Sequence, residues 1–119
     1  EVRARGATPV LATPVARREW NSAGQLIDTH GAYLAAVRRV AAAEKVPLLD
    51  LAKLTRDLLL QLGPTGSRAL FMNFAPGELP QLPQGRADNT HFTTIGARLV
   101  ADLAAAEMRR MNLPFVPAL

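Results

Sequence analysis

Cysteine is absent from the 119 residues, which removes a disulfide scaffold, a zinc finger and a thiol nucleophile together. Lysine is scarce too: of 14 basic residues only Lys45 and Lys53 are lysine, and twelve arginines lie scattered along the chain, mostly in separated pairs. Aromatic residues make up 5%, too few to interleave with that charge and stack on bases. The net charge of +4 therefore reads as solvated helix faces, and nucleic acid is not an expected partner. No apolar run is long enough to cross a bilayer, and the first residues lack the charged, apolar, small-residue order of a signal peptide; no membrane partner is expected. Repeats are missing, as are low-complexity tracts beyond alanine enrichment.

What is there is a near-average globular composition, 49% apolar and 20% charged, which excludes disorder as the default and at this length fits one domain. Residues 8–13, a short apolar run between Gly6 and Pro14, read as a buried strand of the parallel kind. Residues 1–5 then read as the end of a helix stopped by Gly6. Residues 14–31 form a long polar loop carrying Arg17, Arg18, Trp20, Asn21, Gly24 and His30, and ordered loops of that length usually carry function. The spacing of Tyr33, Leu34, Val37, Val40 and Ala41 predicts a helix over 33–45, and 46–51 reads as a second buried strand. A helix over 52–62 stops at Gly63, and Pro64 opens a further turn through Ala69. Residues 71–91, broken by Pro76, Gly77, Pro80, Pro83 and Gly85, read as a second long loop. The last helix is expected over 94–111, capped by Thr93, with Ile95, Leu99, Leu103 and Met108 as its apolar stripe. Residues 113–119 read as a tail. The rhythm is that of a parallel α/β sandwich, but with two strands only, so one edge of each is left unpaired and the chain reads as part of a domain.

Chemistry concentrates in Asp88-Asn89-Thr90-His91, a D-x-x-H just ahead of a helix. In a turn, residues three apart reach each other. Asp88 can then accept the Nδ1 proton of His91, fixing the tautomer and leaving Nε2 as a general base. The same aspartate can equally serve only as a helix cap. A metal site from Asp88, His91 and His30 offers few ligands at no recognised spacing, and no cofactor is expected.

The order of a long loop, then Asp88-Asn89-Thr90-His91-Phe92-Thr93-Thr94-Ile95-Gly96-Ala97, then a terminal amphipathic helix resembles the last block of the SGNH (GDSL-type) hydrolases. There, one D-x-x-H supplies both triad partners of a distant serine. Residues 7–18 (Ala-Thr-Pro-Val-Leu-Ala-Thr-Pro-Val-Ala-Arg-Arg) are similar to the fourth strand and following loop of rhamnogalacturonan acetylesterase-like members. Val46-Pro47-Leu48-Leu49-Asp50-Leu51 resembles their fifth strand, and Phe71-Met72-Asn73-Phe74 with Pro76-Gly77-Glu78 their approach loop. The resemblance implies a three-layer α/β/α parallel-sheet (flavodoxin-like SGNH) fold. This chain would supply its C-terminal part, about two strands and three to four helices, over residues 1–119.

The family's G-D-S nucleophile block, its second-block glycine and its G-x-N-D block are not in this sequence. The two serines, Ser22 and Ser67, neither follow Gly-Asp nor close a buried strand. Three strand–helix units of about 30 residues each would be missing on the N-terminal side. The resemblance thus implies part of a serine esterase that removes acetyl or other short acyl groups from a carbohydrate, pectin-type by preference. Asp88 and His91 are its catalytic pair, and the chain alone is expected to be inactive. It also implies export, although the compartment stays open. Arg17 and Arg18, on the loop after a strand's C-terminal end, either bind a carboxylate of an acidic sugar or pair with Glu19 or Asp28. Trp20 either stacks on a sugar ring or anchors the loop, and Asn73 and His30 are further pocket candidates. The partners expected are an acetylated carbohydrate and, at the unpaired strand, the N-terminal half of the same domain or a second copy. The alternative function is a non-catalytic α/β binding or interaction module that recruits a partner through the exposed sheet edge.

Overall fold

Two apolar runs too short for helices meet as a parallel pair. In the computed structural model, which describes residues 1–113, β1 (Leu11–Ala12) lies beside β2 (Leu48–Leu49), with Leu11 opposite Leu48 and Ala12 opposite Leu49. A parallel pair needs a crossover, and α1 (Ala32–Ala43) provides it. Both expected strands are present but short. Pro9, Pro14 and Pro47 flank them and cannot donate to a ladder, and among the described residues β1 pairs with β2 alone. The ladder closes through Leu11 N–H to the Pro47 carbonyl at 3.0 Å and Thr13 N–H to the Leu49 carbonyl at 3.1 Å.

Beyond β2, Asp50 caps α2 (Leu51–Gly66), its carboxylate accepting from the Lys53 N–H. The expected stop at Gly63 and restart at Pro64 both occur. Gly63 takes φ 68°, ψ −179°, a conformation that costs a glycine little and other residues much. A 3-10 turn, Ser67–Leu70, follows.

Residues 71–91 are not one long loop. β3 (Phe71–Phe74) and β4 (Arg86–Phe92) form an antiparallel hairpin, so the described residues hold four strands in two separate two-stranded sheets, one parallel and one antiparallel, where two parallel strands were expected. The prolines and Gly77 fall in the connection between the strands, outside the ladder. β4, with Arg86, Asp88, Asn89 and His91, lacks the apolar alternation that announces a strand.

α3 (Thr94–Arg110) starts where expected. The Thr93 hydroxyl accepts from the Gly96 N–H at 3.2 Å and donates to the Ala69 carbonyl at 2.8 Å, while the Thr93 N–H reaches the Leu70 carbonyl at 3.0 Å. Gly96 is buried there because only a glycine fits: a Cβ would stand 2.0 Å from the Leu70 carbonyl oxygen. The expected stripe is corrected, since Ile95 is 62% exposed and Leu99 is exposed as well. Leu103 and Met108, further along the same stripe, are half-buried. Tyr33 and Val40 on α1 are exposed, and Leu34 and Ala41 are its buried residues. Of the tail expected over 113–119, residues 114–119 lie outside the described residues.

The largest buried cluster is Leu26, Leu59, Leu70 and Phe71, with Ala16, Trp20, Leu58 and Phe92 against it. It joins the 14–31 loop, α2 and the base of the hairpin. The accessible surface is 7801 Å², against roughly 6,300 Å² for a monomer of this mass that closes its own core. The radius of gyration is 16.9 Å, against about 13.5 Å for a compact domain of this length.

Candidate active site

The site is made by a miscount in the hairpin register. Phe71 pairs with Phe92 and Asn73 with Ala87, so one residue of β3, Met72, faces four of β4, Asp88 to His91. Those four residues cannot stay in the ladder and are thrown into a turn, as an exaggerated bulge. The Phe71 and Phe92 rings, with centroids 4.8 Å apart, close the ladder on one side of it.

Within the turn Asp88 and His91 face each other. Asp88 Oδ2 lies 2.9 Å from His91 Nδ1 and accepts its proton, while Oδ1 accepts the backbone N–H groups of Thr90 at 3.0 Å and His91 at 2.9 Å. Arg86, two residues back along the strand and so on the same side, donates from Nη2 to Oδ2 at 2.7 Å. Asp88 thus collects four donors. The His91 and Thr90 N–H groups, with Arg86 and the imidazole adding to them, hold its carboxyl well below the usual carboxylate range. The side chains divide as a base and its orienting acid require: Asp88 is 15% exposed and His91 73%. His91 Nε2 makes no hydrogen bond among the described residues and faces outward from the pair.

The substrate candidates lie differently. The Arg18 guanidinium donates to Ser67 Oγ at 3.1 Å, to Asn89 Oδ1 at 3.1 Å and to the Pro64 carbonyl; neither expected partner, Glu19 nor Asp28, receives it. Asn73 donates from Nδ2 to the Asp88 carbonyl at 2.9 Å and to Asn89 Oδ1 at 2.8 Å. Trp20 packs on the buried cluster and bridges to Leu26 across the loop, the anchoring arrangement. Arg17 is exposed, makes no hydrogen bond or ion pair among the described residues, and lines a cleft of about 370 Å³ with Asp28, His30, Leu34, Arg38 and Arg56. Neither Asp88 nor His91 lines that cleft. A more open hollow of about 320 Å³, lined by Arg68, Asn73, Gly85 and Arg86, lies beside the turn. Ser22 is exposed in its loop; Ser67 is wholly buried, and neither bonds to His91. Among the described residues no group of three or more His, Asp or Glu is placed to hold a metal ion.

The sequence reading missed Arg86 and Asn89. Arg86 could have been found from its spacing of two ahead of Asp88, had β4 been read as a strand. Asn89 sits at an unspecified position of D-x-x-H and carries no signal of its own.

The α/β fold is shared with a solved structure of SGNH-type esterase fold. A crystal structure of the protein YxiM from Bacillus subtilis superposes with a TM-score of 0.73 at 27% identity, over 95% of this chain and 28% of that one. In sequence, the chain is similar to two curated proteins named as rhamnogalacturonan acetylesterases, one of them as probable. It is 40% identical over 112 residues to rhamnogalacturonan acetylesterase RhgT of Bacillus subtilis (strain 168), 94% of this chain and 48% of that protein. It is 31% identical over 117 residues to the probable rhamnogalacturonan acetylesterase YesY of the same strain, 98% of this chain and 49% of that protein. The chain spans about half the length of the curated relatives it matches. No protein-family model matches it.

Proposed function

We propose that residues 1–119 act as the C-terminal portion of a serine esterase domain that removes acetyl groups from a pectin-type polysaccharide, with Asp88 and His91 as the acid–base members of its triad. The observation that carries this reading is the 2.9 Å contact between Asp88 Oδ2 and His91 Nδ1 beside a largely exposed ring. The names of the relatives RhgT and YesY support the acetyl group and the polysaccharide.

In this reading a serine hydroxyl from outside these residues attacks the ester carbonyl carbon. His91 Nε2 takes the hydroxyl proton as the Oγ–carbon bond forms, then gives it to the leaving sugar oxygen as the ester bond breaks. A water, deprotonated by the same nitrogen, then attacks the acyl-enzyme carbonyl, and as the Oγ–carbon bond breaks acetate leaves and the imidazolium returns the proton to the serine oxygen. Asp88 stays ionised throughout. It fixes the Nδ1–H tautomer and stabilises the imidazolium, a role suited to a carboxylate held by four donors. Oxyanion donors also come from outside the chain, and a large electrostatic contribution comes with them.

The remainder of the domain, or a second copy of the chain, adds to the unpaired edge of β1. An accessible surface above that of a self-closed monomer and the uncovered Ile95 and Leu99 support such a partner. The test is aryl acetate hydrolysis, by the chain alone and by a protein joining it to an N-terminal half that carries the serine. No turnover is expected from the chain alone. In the joined protein His91→Ala should lower kcat about 10⁶-fold and Asp88→Asn about 10⁴-fold. Turnover by the isolated chain that disappears in His91→Ala would place the nucleophile within it and refute the proposed division.

A further inference from the structure

We propose that Arg18 and Asn73 are positioning residues for the Asp88–His91 pair, acting together through Asn89; the inference rests on the esterase reading above. Asn89 Oδ1 is the shared point. It accepts from Arg18 Nη1 at 3.1 Å on one side and from Asn73 Nδ2 at 2.8 Å on the other. The main chain repeats both links. The Arg18 N–H donates to the Asn89 carbonyl at 2.9 Å, and Asn73 Nδ2 donates to the Asp88 carbonyl at 2.9 Å.

A four-residue excursion from a strand has lost its ladder bonds, and its polar groups must find others or remain unpaired. Two of these bonds do that for the Asp88 and Asn89 carbonyls, on the two residues whose backbone sets where the Asp88 carboxylate points, and the other two hold the Asn89 side chain. Arg18 carries the restraint further, because Nε and Nη2 anchor it on buried Ser67 and on the Pro64 carbonyl at the broken end of α2. The turn is therefore fixed from three separate segments: the loop after β1, the Gly63–Pro64 break, and β3. A guanidinium suits this junction because its donors diverge in one plane; an ammonium can meet one of the three acceptors well, but not all of them.

Consecutive residues of the loop thus divide their work. Arg18 turns inward to the pair, and Arg17 is left on the 370 Å³ cleft.

The test reads the imidazole directly. In the uniformly ¹⁵N-labelled chain, the His91 ring nitrogens report the tautomer. The Nδ1–H form is expected to dominate in the wild type, as the Asp88 contact requires. Arg18→Ala should lower the Nδ1–H fraction about twofold or more, since an imidazole released from its partner distributes between tautomers. Amide signals of α1 and α3 should stay in place. Arg18→Lys should not restore it, and added guanidinium ion should restore it in Arg18→Ala. If the tautomer in folded Arg18→Ala equals that of the wild type, the proposal is overturned. Should Arg18→Ala fail to fold, Asn89→Ala takes its place, because it removes the shared acceptor while leaving Arg18 on Ser67 and Pro64; the same two results then apply. Unfolding of both variants would mean the junction holds the whole fold, and would also overturn the proposal. A wild type without the Nδ1–H form would instead strike at the esterase reading itself, so the two failures are distinct.

Discussion

The two sheets are built on opposite terms. The β3–β4 hairpin joins neighbours in sequence, carries its own aromatic contact between Phe71 and Phe92, and is tied to α3 by Thr93 at the Ala69 and Leu70 carbonyls. The β1–β2 pair joins segments more than thirty residues apart by a ladder two residues long, with one edge of β1 open. Local pairing costs little chain entropy, whereas a parallel crossover must close a long loop before any contact rewards it. The hairpin, which carries Asp88 and His91, thus pairs locally and is braced by α3. The parallel pair has a two-residue ladder with the Thr13–Asp50 hydrogen bond at its end, and the partner proposed above would complete it.

The sharpest way to break the hairpin side is Gly96→Ala. Alanine is the better helix former by about 1 kcal/mol, but its Cβ would meet the Leu70 carbonyl at 2.0 Å. The clash should win, and thermal denaturation should show a net loss of about 3 kcal/mol. A variant as stable as the wild type would show that α3 does not brace the hairpin.

On the parallel side the corresponding change is Thr13→Val. The buried hydroxyl donates to Asp50 Oδ1 at 2.9 Å and accepts the Ala52 N–H at 2.8 Å. Its loss leaves a buried donor unpaired and should cost about 1–2 kcal/mol. Amide exchange should quicken at Leu11 and Thr13 while the hairpin amides keep their protection; equal loss in both sheets would erase the contrast.

Acid gives the gentlest comparison. Asp88 in the hairpin is held low by the His91 and Thr90 N–H groups, then by Arg86 and the imidazole. At the parallel pair, burial opposes ionisation of Asp50, but hydrogen bonds from Arg38, Thr13 and Lys53 outweigh it and leave that carboxyl low as well. A folded pKa below the unfolded value of about 3.9 makes a contribution that is complete above that value and is lost as pH falls through the folded pKa. The melting temperature should therefore drop below about pH 4. Asp88→Asn and Asp50→Asn should each flatten that drop, and an unchanged acid limb in Asp88→Asn would contradict the four-donor arrangement.

The same contrast decides what the sequence revealed. Short apolar runs bounded by proline and glycine announced β1 and β2, and Thr93, Gly63 and Pro64 marked their helix boundaries because capping and breaking are local events. β4 escaped notice because its side chains are mostly polar and none is fully buried, so it has no hydrophobic period to read. The contact between Asp88 and His91 was legible from their spacing, while their catalytic reading came from the resemblance to the SGNH hydrolases. Arg18, Asn73 and Asn89 were not, since what brings them together is tertiary: the register of β3 against β4 and the course of the loop past the end of α2.

One register fact limits how this turn can vary. An excursion flanked by two ladder pairs, Asn73–Ala87 and Phe71–Phe92, is pinned at both ends, so a change in its length would be taken up among Asp88 to His91 themselves. The two residues between the carboxylate and the imidazole would bear that change, and with it the 2.9 Å contact that spans them.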